Sequence, residues 1–176
     1  MAMPTMKDSV FSKTLTYICE HNDRGAFGLV INRPTDLNLM GLFKQLGIPQ
    51  LDESINKLTP ILFGGPVQVD CGFVLHNPVG KWQSSLAVNK EIALTTSLDI
   101  MKAIANDEGP ENTLIALGYA GWSPGQIELE LSQNTWLTVP ASHEVIFNLT
   151  SEEKFTAAMQ LLGIHDANLS HEIGHA

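Results

Sequence analysis

Four short apolar runs, each bounded by glycine, asparagine or proline, constrain the fold of this chain more than any other feature. They cover residues 27–31, 61–63, 73–75 and 114–117. None alternates regularly between apolar and polar residues, a pattern typical of strands buried on both faces. We therefore expect four central strands in a sheet that is covered on both sides.

Residues 14–21 alternate instead and predict a half-buried strand. One face is expected to carry Leu15, Tyr17, Cys19 and His21. Three amphipathic helices are also predicted from the spacing of apolar residues and from the residues that typically begin and end helices. The first covers residues 39–46, the second begins at Thr96 and ends near Gly109, and the third begins at Thr150 and ends at Gly163.

The length and composition indicate one globular domain over residues 1–176, with residues 165–176 expected to be a loosely held tail. Ten basic and nineteen acidic residues give a net charge of −9, which disfavours direct nucleic-acid binding. No apolar stretch is long enough to cross a membrane. With only two cysteines, the chain is expected to be cytoplasmic with reduced thiols and no cofactor.

The sequence Gly121-Trp122-Ser123-Pro124-Gly125 matches the G-x-S-x-G motif of hydrolases. Pro124 lacks the N–H that an oxyanion hole would need after the serine. We favour a structural interpretation, in which Ser123 is the N-cap of a helix and Gln126 completes a capping box. The H-E-x-x-H pattern at residues 171–175 matches a zinc motif. It ends one residue before the last residue of the sequence, so we expect no metal site there.

Cys19 and His21 are the candidate catalytic residues. On a regular strand they would share a face, and a nearby imidazole could stabilise a thiolate for nucleophilic or redox chemistry. The i and i+2 side chains of a strand stand about 6.6 Å apart, however, and their neighbours look like core. A packed cysteine is therefore the favoured interpretation, and a reactive thiol is the alternative.

Polar and glycine-rich residues follow the buried strands. If these strand ends converge, they form a crevice that could hold a carboxylate or phosphate. If the strands are antiparallel, the ends scatter, and glycine and proline merely turn the chain. The candidate ligand-binding residues are Asn32, Arg33, Gly64, Gly65, Tyr119 and Trp122.

Several stretches resemble the bacterial AlgH/YqgE family. They are AMPTMKD (2–8), YICEHN (17–22), GAFGLVINRP (25–34), FGGPV (63–67), GFVLH (72–76), ALGYAGW (116–122), NTWL (134–137), LLGI (161–164) and GHA (174–176). The resemblance covers nearly the whole chain in the correct order. Family members usually carry a short apolar strand before the motif that begins here at Ala2, so a longer natural N-terminus or a shortened chain is expected.

The resemblance implies a single α+β domain in which mixed, bifurcated sheets curl into a pseudo-barrel flanked by helices. It brings no established activity or substrate, although the family is named for a proposed transcriptional regulator of alginate synthesis. The first hypothesis is thus a regulatory or binding protein that recognises a small anion or a protein partner. The alternatives are a thiol-dependent enzyme or redox sensor using Cys19 with His21, and a transcriptional regulator.

Overall fold

The computed structural model describes residues 1–49 and 59–164. The strands are β1 (Thr16–Asn22), β2 (Gly25–Val30), β3 (Pro34–Asn38), β4 (Pro60–Phe63), β5 (Val67–Asn77), β6 (Ser85–Ala87), β7 (Ala93–Thr95) and β8 (Asn112–Trp122). The helices are α1 (Leu39–Gln45), α2 (Leu98–Ala105), α3 (Gln126–Ser132) and α4 (Ser151–Leu161), with a π-helical turn at Glu144–Asn148.

All eight strands form one curled sheet that forks along β8. The main order is β1-β2-β8-β5-β7-β6, and every pair along it is antiparallel. On one edge of β8, residues 120–122 pair with β2, whereas Ala116 and Leu117 pair in parallel with β4. The expectation of an α+β domain with mixed, bifurcated sheets is therefore confirmed.

The four central strands are also confirmed, because alternate residues of β5 and β8 enter different cores. Leu75 and Leu114 pack in the larger core with the π-helical turn and α4. Val74 and Ile115 pack on the opposite side with α1 and α2. A third, smaller cluster contains Ala2, Ala26, Ala120, Trp122 and Trp136. Both faces of the central sheet are thus covered, as an apolar run without alternation indicates.

The three helices predicted from the spacing of apolar residues are present, but the second is shorter than expected and ends at Ala105 rather than near Gly109. Thr150 and Glu153 form the expected capping box at α4. The second helix begins one residue later than expected, because Ser97 rather than Thr96 is its N-cap. Leu98, the first residue of α2, is 44% exposed. The predicted tail at 165–176 and the H-E-x-x-H pattern lie outside the described residues.

Lys154 is the one buried lysine among the described residues, and it joins α4 to the sheet. Its Nζ donates hydrogen bonds to the carbonyl oxygens of Ile31, at 3.1 Å, and Ile146, at 2.8 Å. The side chain is 5% exposed, and no carboxylate of the described residues pairs with it. Burial lowers the pKa of Lys154 from 10.5 to about 8. No helix within the described ranges is long and apolar enough to span a membrane.

Candidate functional site

A cleft of about 620 Å³ opens where the end of β8 lies beside the start of β2. Its volume falls within the range of about 300–1,000 Å³ that is usual for small-molecule sites. Four strands and the turn after β8 supply its wall. The lining residues are Glu20, Asn22, Arg24, Gly25, Ala26, Phe27, Val67, Gln68, Phe73, Tyr119, Gly121, Trp122, Ser123 and Pro124.

Three aromatic rings form the apolar part of the cleft. Tyr119 is edge-on to Phe27 at a centroid distance of 5.8 Å and edge-on to Phe73 at 5.7 Å. Such T-shaped pairs hold the rings in fixed orientations and stabilise the fold by about 0.5–1.5 kcal/mol each. The cleft therefore has a rigid apolar wall on adjacent strands of the sheet.

Two charged side chains lie at the polar part of the cleft. Glu20 accepts a hydrogen bond of 2.5 Å from the Asn22 amide, which fixes its carboxylate. The Arg24 side chain is exposed and makes no hydrogen bond or ion pair with any residue in the described ranges. The backbone N–H of Arg24 donates to Asn22 Oδ1 at 2.9 Å, which anchors the turn that carries the arginine. Arg24 thus has an anchored backbone and a guanidinium that no residue of the described ranges pairs with.

A protrusion of β5 forms one rim. Val67 pairs with Tyr119 and Gly72 pairs with Leu117, so residues 68–71 are left over as a large bulge. Gln68, at a φ of 50°, lies in this bulge and lines the cleft. The bulge brings a side-chain amide to the rim that regular strand pairing would place elsewhere.

The structure brings only part of the sequence-predicted ligand site to this cleft. Tyr119 and Trp122 line it. Asn32 and Arg33 do not, because their polar atoms hold the N-terminal loop. Asn32 Oδ1 accepts from Leu15 N at 2.7 Å, and Arg33 donates to the carbonyls of Ser9 and Val10. The expected convergence of these two residues with Tyr119 and Trp122 is therefore wrong for this cleft.

The direction of β2 explains this correction. Because β2 runs antiparallel to β8, its first residues, and not its last, lie beside Trp122. Asn32 and Arg33 follow the carboxyl end of β2, where Val30 N donates to the Gly64 carbonyl. The residues that reach the cleft instead are Asn22, Arg24 and Gly25. The sequence could have suggested Arg24 as a candidate anion-binding residue, because it and Arg33 are the only two arginines in the chain.

Gly64 and Gly65 are packing residues that support the cleft from behind. Gly64 N donates to the Leu117 carbonyl at 2.8 Å, which ties the end of β4 to β8. A Cβ on Gly65 would lie 2.1 Å from the carbonyl carbon of Tyr119. The two glycines are absent from the cleft lining, and the contacts they make are packing contacts with β8.

Trp122 is held by a hydrogen-bond network centred on Glu130 of α3. One carboxylate oxygen of Glu130 accepts from the indole N–H of Trp122, at 2.9 Å, and of Trp136, at 2.7 Å. The other accepts from the Gln126 amide at 2.9 Å. These bonds join α3 to the strand end that borders the cleft.

The cap predicted at Ser123 is wrong in position. Gly125, with a φ of 75°, is the N-cap residue of α3. Gln126 nevertheless reaches back to accept from Ser123 N at 3.0 Å, which is half of the expected capping box. The Ser123 side chain is exposed, and no histidine in the described residues bonds to it. The arrangement gives no support to a serine nucleophile.

The structure separates Cys19 from His21. The register of β1 against β2 shifts between Ile18 and Glu20, so Cys19 is the extra residue of a bulge and the regular alternation is broken. Cys19 is buried in the larger core, whereas His21 is exposed and its Nε2 lies 2.6 Å from Glu128 Oε1 on α3. The expectation that the two side chains share a face is therefore wrong.

The thiol of Cys19 is buried, and its environment favours the protonated form. Burial raises the pKa of Cys19 from 9.0 to about 12, although a backbone hydrogen bond from Leu29 acts in the opposite direction. The Sγ atom lies 3.7 Å from the Tyr17 carbonyl oxygen, to which it donates. A thiol with this pKa is protonated at neutral pH, and the protonated form is a weak nucleophile. The second cysteine, Cys71, is exposed on the β5 bulge.

Alkylation is expected to distinguish the two cysteines sharply. At neutral pH, iodoacetamide should modify Cys71 rapidly, because its thiol is exposed. Cys19 should react only at the rate at which the protein opens, since its thiol is buried and protonated. Mass spectrometry of each cysteine-containing peptide against time measures both rates. Rapid modification of Cys19 in the folded protein, with an apparent pKa near 8.5 or lower, would contradict this account.

A second cavity, of about 230 Å³, lies between β1, the π-helical turn and the segment that joins α3 to this turn. Its lining is mainly apolar, with Leu15, Ile31, Leu137 and Val145 among its residues. No charged side chain lines it. Its polar side chains are neutral, and they include the buried hydroxyl of Thr16, which has no hydrogen-bond partner among the described residues.

The fold and the cleft together define a forked-sheet α+β domain with a polar and aromatic cleft at the end of its central strand. The family model described as AlgH-like matches residues 1–167. The chain belongs to this family, which confirms the AlgH part of the resemblance found in the sequence.

Relatives with similar sequences include UPF0301 proteins of two bacteria. The chain is 61% identical over 176 residues to that of Nitrosospira multiformis and 50% identical to that of Dechloromonas aromatica, covering 100% of this chain and 94% of each relative. The solution structure of the AlgH protein from Pseudomonas aeruginosa is similar over 100% of this chain and 93% of that chain, with 48% identity and a TM-score of 0.81.

A crystal structure of a protein from Corynebacterium diphtheriae has the same fold at much lower sequence identity. It covers 91% of this chain and 83% of that chain, with 18% identity and a TM-score of 0.71. The forked sheet thus tolerates extensive sequence change.

Proposed function

We propose that this protein is a non-catalytic, regulatory binding protein of the cytoplasm that recognises a small organic anion in the cleft. The observation that carries the proposal is the unpaired Arg24 guanidinium beside a wall of Phe27, Phe73 and Tyr119. A guanidinium forms strong, directional hydrogen bonds to carboxylate and phosphate groups. Aromatic edges and faces accommodate the apolar body of such a ligand.

The distribution of the two arginines supports the assignment. Arg33 donates to the Ser9 and Val10 carbonyls and is therefore used in holding the N-terminal loop. Arg24 has no such structural partner within the described ranges, and its backbone is anchored by Asn22. A free cation that is positioned by its own turn is suited to binding an external anion.

The alternatives have less support. A thiol-dependent function is opposed by the burial of Cys19 and by its separation from His21. Direct binding to DNA, as a transcriptional regulator of that kind would need, is opposed by the net charge of −9. Two free cysteines are consistent with a reducing compartment such as the cytoplasm.

The proposal is tested by titrating the protein with 3-phenylpropionate, which carries one carboxylate and one phenyl ring. Binding, followed by calorimetry, should weaken by about tenfold or more in Arg24→Gln, because the carboxylate loses its charged partner. Lys102→Gln, an exposed change on α2 outside the cleft, is the matched control and should bind like wild type. Equal affinity in Arg24→Gln, or failure of both 3-phenylpropionate and its α-amino analogue L-phenylalanine to bind at millimolar concentration, would overturn the proposal.

A further inference from the structure

The residues that line the cleft include one negatively and one positively charged side chain, and this pair limits the charges that a well-matched ligand can carry. Glu20 and Arg24 both line it, yet they form no ion pair with each other. Within residues 1–49 and 59–164, the Glu20 carboxylate accepts one hydrogen bond, from Asn22, so it retains further acceptor capacity. The site thus presents one separate anion and one separate cation to a ligand.

A simple organic anion satisfies only half of this arrangement. Its carboxylate would pair with Arg24, but its remaining atoms would lie near the negative charge of Glu20 without neutralising it. A ligand that also carries an ammonium group would pair with Glu20 and gain a second charge-assisted hydrogen bond. The aromatic wall of Phe27, Phe73 and Tyr119 would accept the apolar side chain of that ligand.

We propose that the ligand is a small zwitterion with an apolar side chain, of the class of aromatic α-amino acids and their dipeptides. This inference rests on the proposed function and adds to it the role of Glu20. Arg24 binds the carboxylate, Glu20 binds the ammonium group, and the three rings contact the side chain. Gln68 and Ser123 also line the cleft and carry neutral side chains that can form hydrogen bonds.

The test compares four ligands that differ in one group at a time: L-phenylalanine, 3-phenylpropionate, 2-phenylethylamine and L-phenylalanylglycine. L-Phenylalanine should bind wild type roughly fivefold to tenfold more tightly than 3-phenylpropionate does, because only the amino acid reaches Glu20. Glu20→Gln should abolish this preference and leave 3-phenylpropionate binding unchanged or tighter. The substitution keeps an oxygen that can accept from Asn22, so the local structure is retained.

Asp36→Asn is the control, because it removes an exposed carboxylate from β3 outside the cleft and should preserve the preference for L-phenylalanine over 3-phenylpropionate.

If L-phenylalanylglycine binds more tightly than L-phenylalanine, the ligand is a peptide. If L-phenylalanine binds more tightly than the dipeptide, the ligand is a free amino acid. Either result supports the zwitterion. Equal affinity for L-phenylalanine and 3-phenylpropionate in wild type, with both dependent on Arg24, would overturn this inference and leave the proposed function standing. Failure of both to bind would overturn the proposed function itself.

Discussion

Gly65→Ala is expected to destabilise the protein by about 3–5 kcal/mol, one of the largest effects of any single change in the chain. The added Cβ would lie 2.1 Å from the carbonyl carbon of Tyr119 and 2.3 Å from Ala120 N. Both are backbone atoms of β8, so no side-chain rotation relieves the clash. Gly65 also has a φ of 153°, which a residue with a Cβ rarely adopts.

Thermal unfolding followed by circular dichroism measures this effect, and the midpoint should fall by roughly 10 °C. Gly72→Ala is the matched control, since no heavy atom lies within 4 Å of its added Cβ and Gly72 is exposed on β5. Its midpoint should stay close to that of wild type. A Gly65→Ala protein as stable as Gly72→Ala would contradict the close approach of β4 and β8.

Lys154→Met is expected to change the way in which stability depends on pH. The pKa of Lys154 is about 8 in the folded protein and 10.5 as the ordinary value. Between these values the unfolded chain binds the proton and the folded chain does not, so the free energy of unfolding rises with pH. Between pH 8 and pH 10.5, the free energy of unfolding of the wild type should therefore rise by up to about 3 kcal/mol relative to that of Lys154→Met.

Urea unfolding at a series of pH values measures this difference. Ionisation of the Cys19 thiol in the unfolded chain contributes the opposite slope in this range, but it is common to both proteins and cancels. Lys102→Met removes an exposed lysine and should keep the wild-type pH profile. If the profiles of wild type and Lys154→Met run parallel from pH 8 upward, the lysine is not held in a desolvated site.

Much of the fold was predictable from local pattern. Apolar runs without alternation located β2, β4, β5 and β8, because a strand buried on both faces has no polar side. Glycines that stop helices located the ends of α1 and α4. Gly47 and Gly163, which follow these helices, have φ values of 64° and 71°. These features depend on residues that are close in sequence, which is why a single sequence reveals them.

The site was less predictable, because it depends on strand direction and on irregularities in pairing. Nothing in residues 27–34 indicates that β2 runs antiparallel to β8, yet this direction brings Arg24 rather than Arg33 to the cleft. The bulge at Cys19 likewise has no sequence signature, since the chain alternates regularly through it. Tyr119 and Trp122 follow the last buried run of the sequence, lie at the end of β8 and line the cleft.

The fork along β8 also sets the order in which the domain can be completed as the chain leaves the ribosome. β2, β4 and β5 all pair with β8, although β8 is the last strand to be synthesised. Until residue 122 has emerged, all three earlier strands present unpaired edges, a state prone to pairing with other chains. Closure must then join segments far apart in sequence, such as Ala26 and Trp122, which is typical of slowly folding domains. The nascent protein is thus most vulnerable just before its central strand appears.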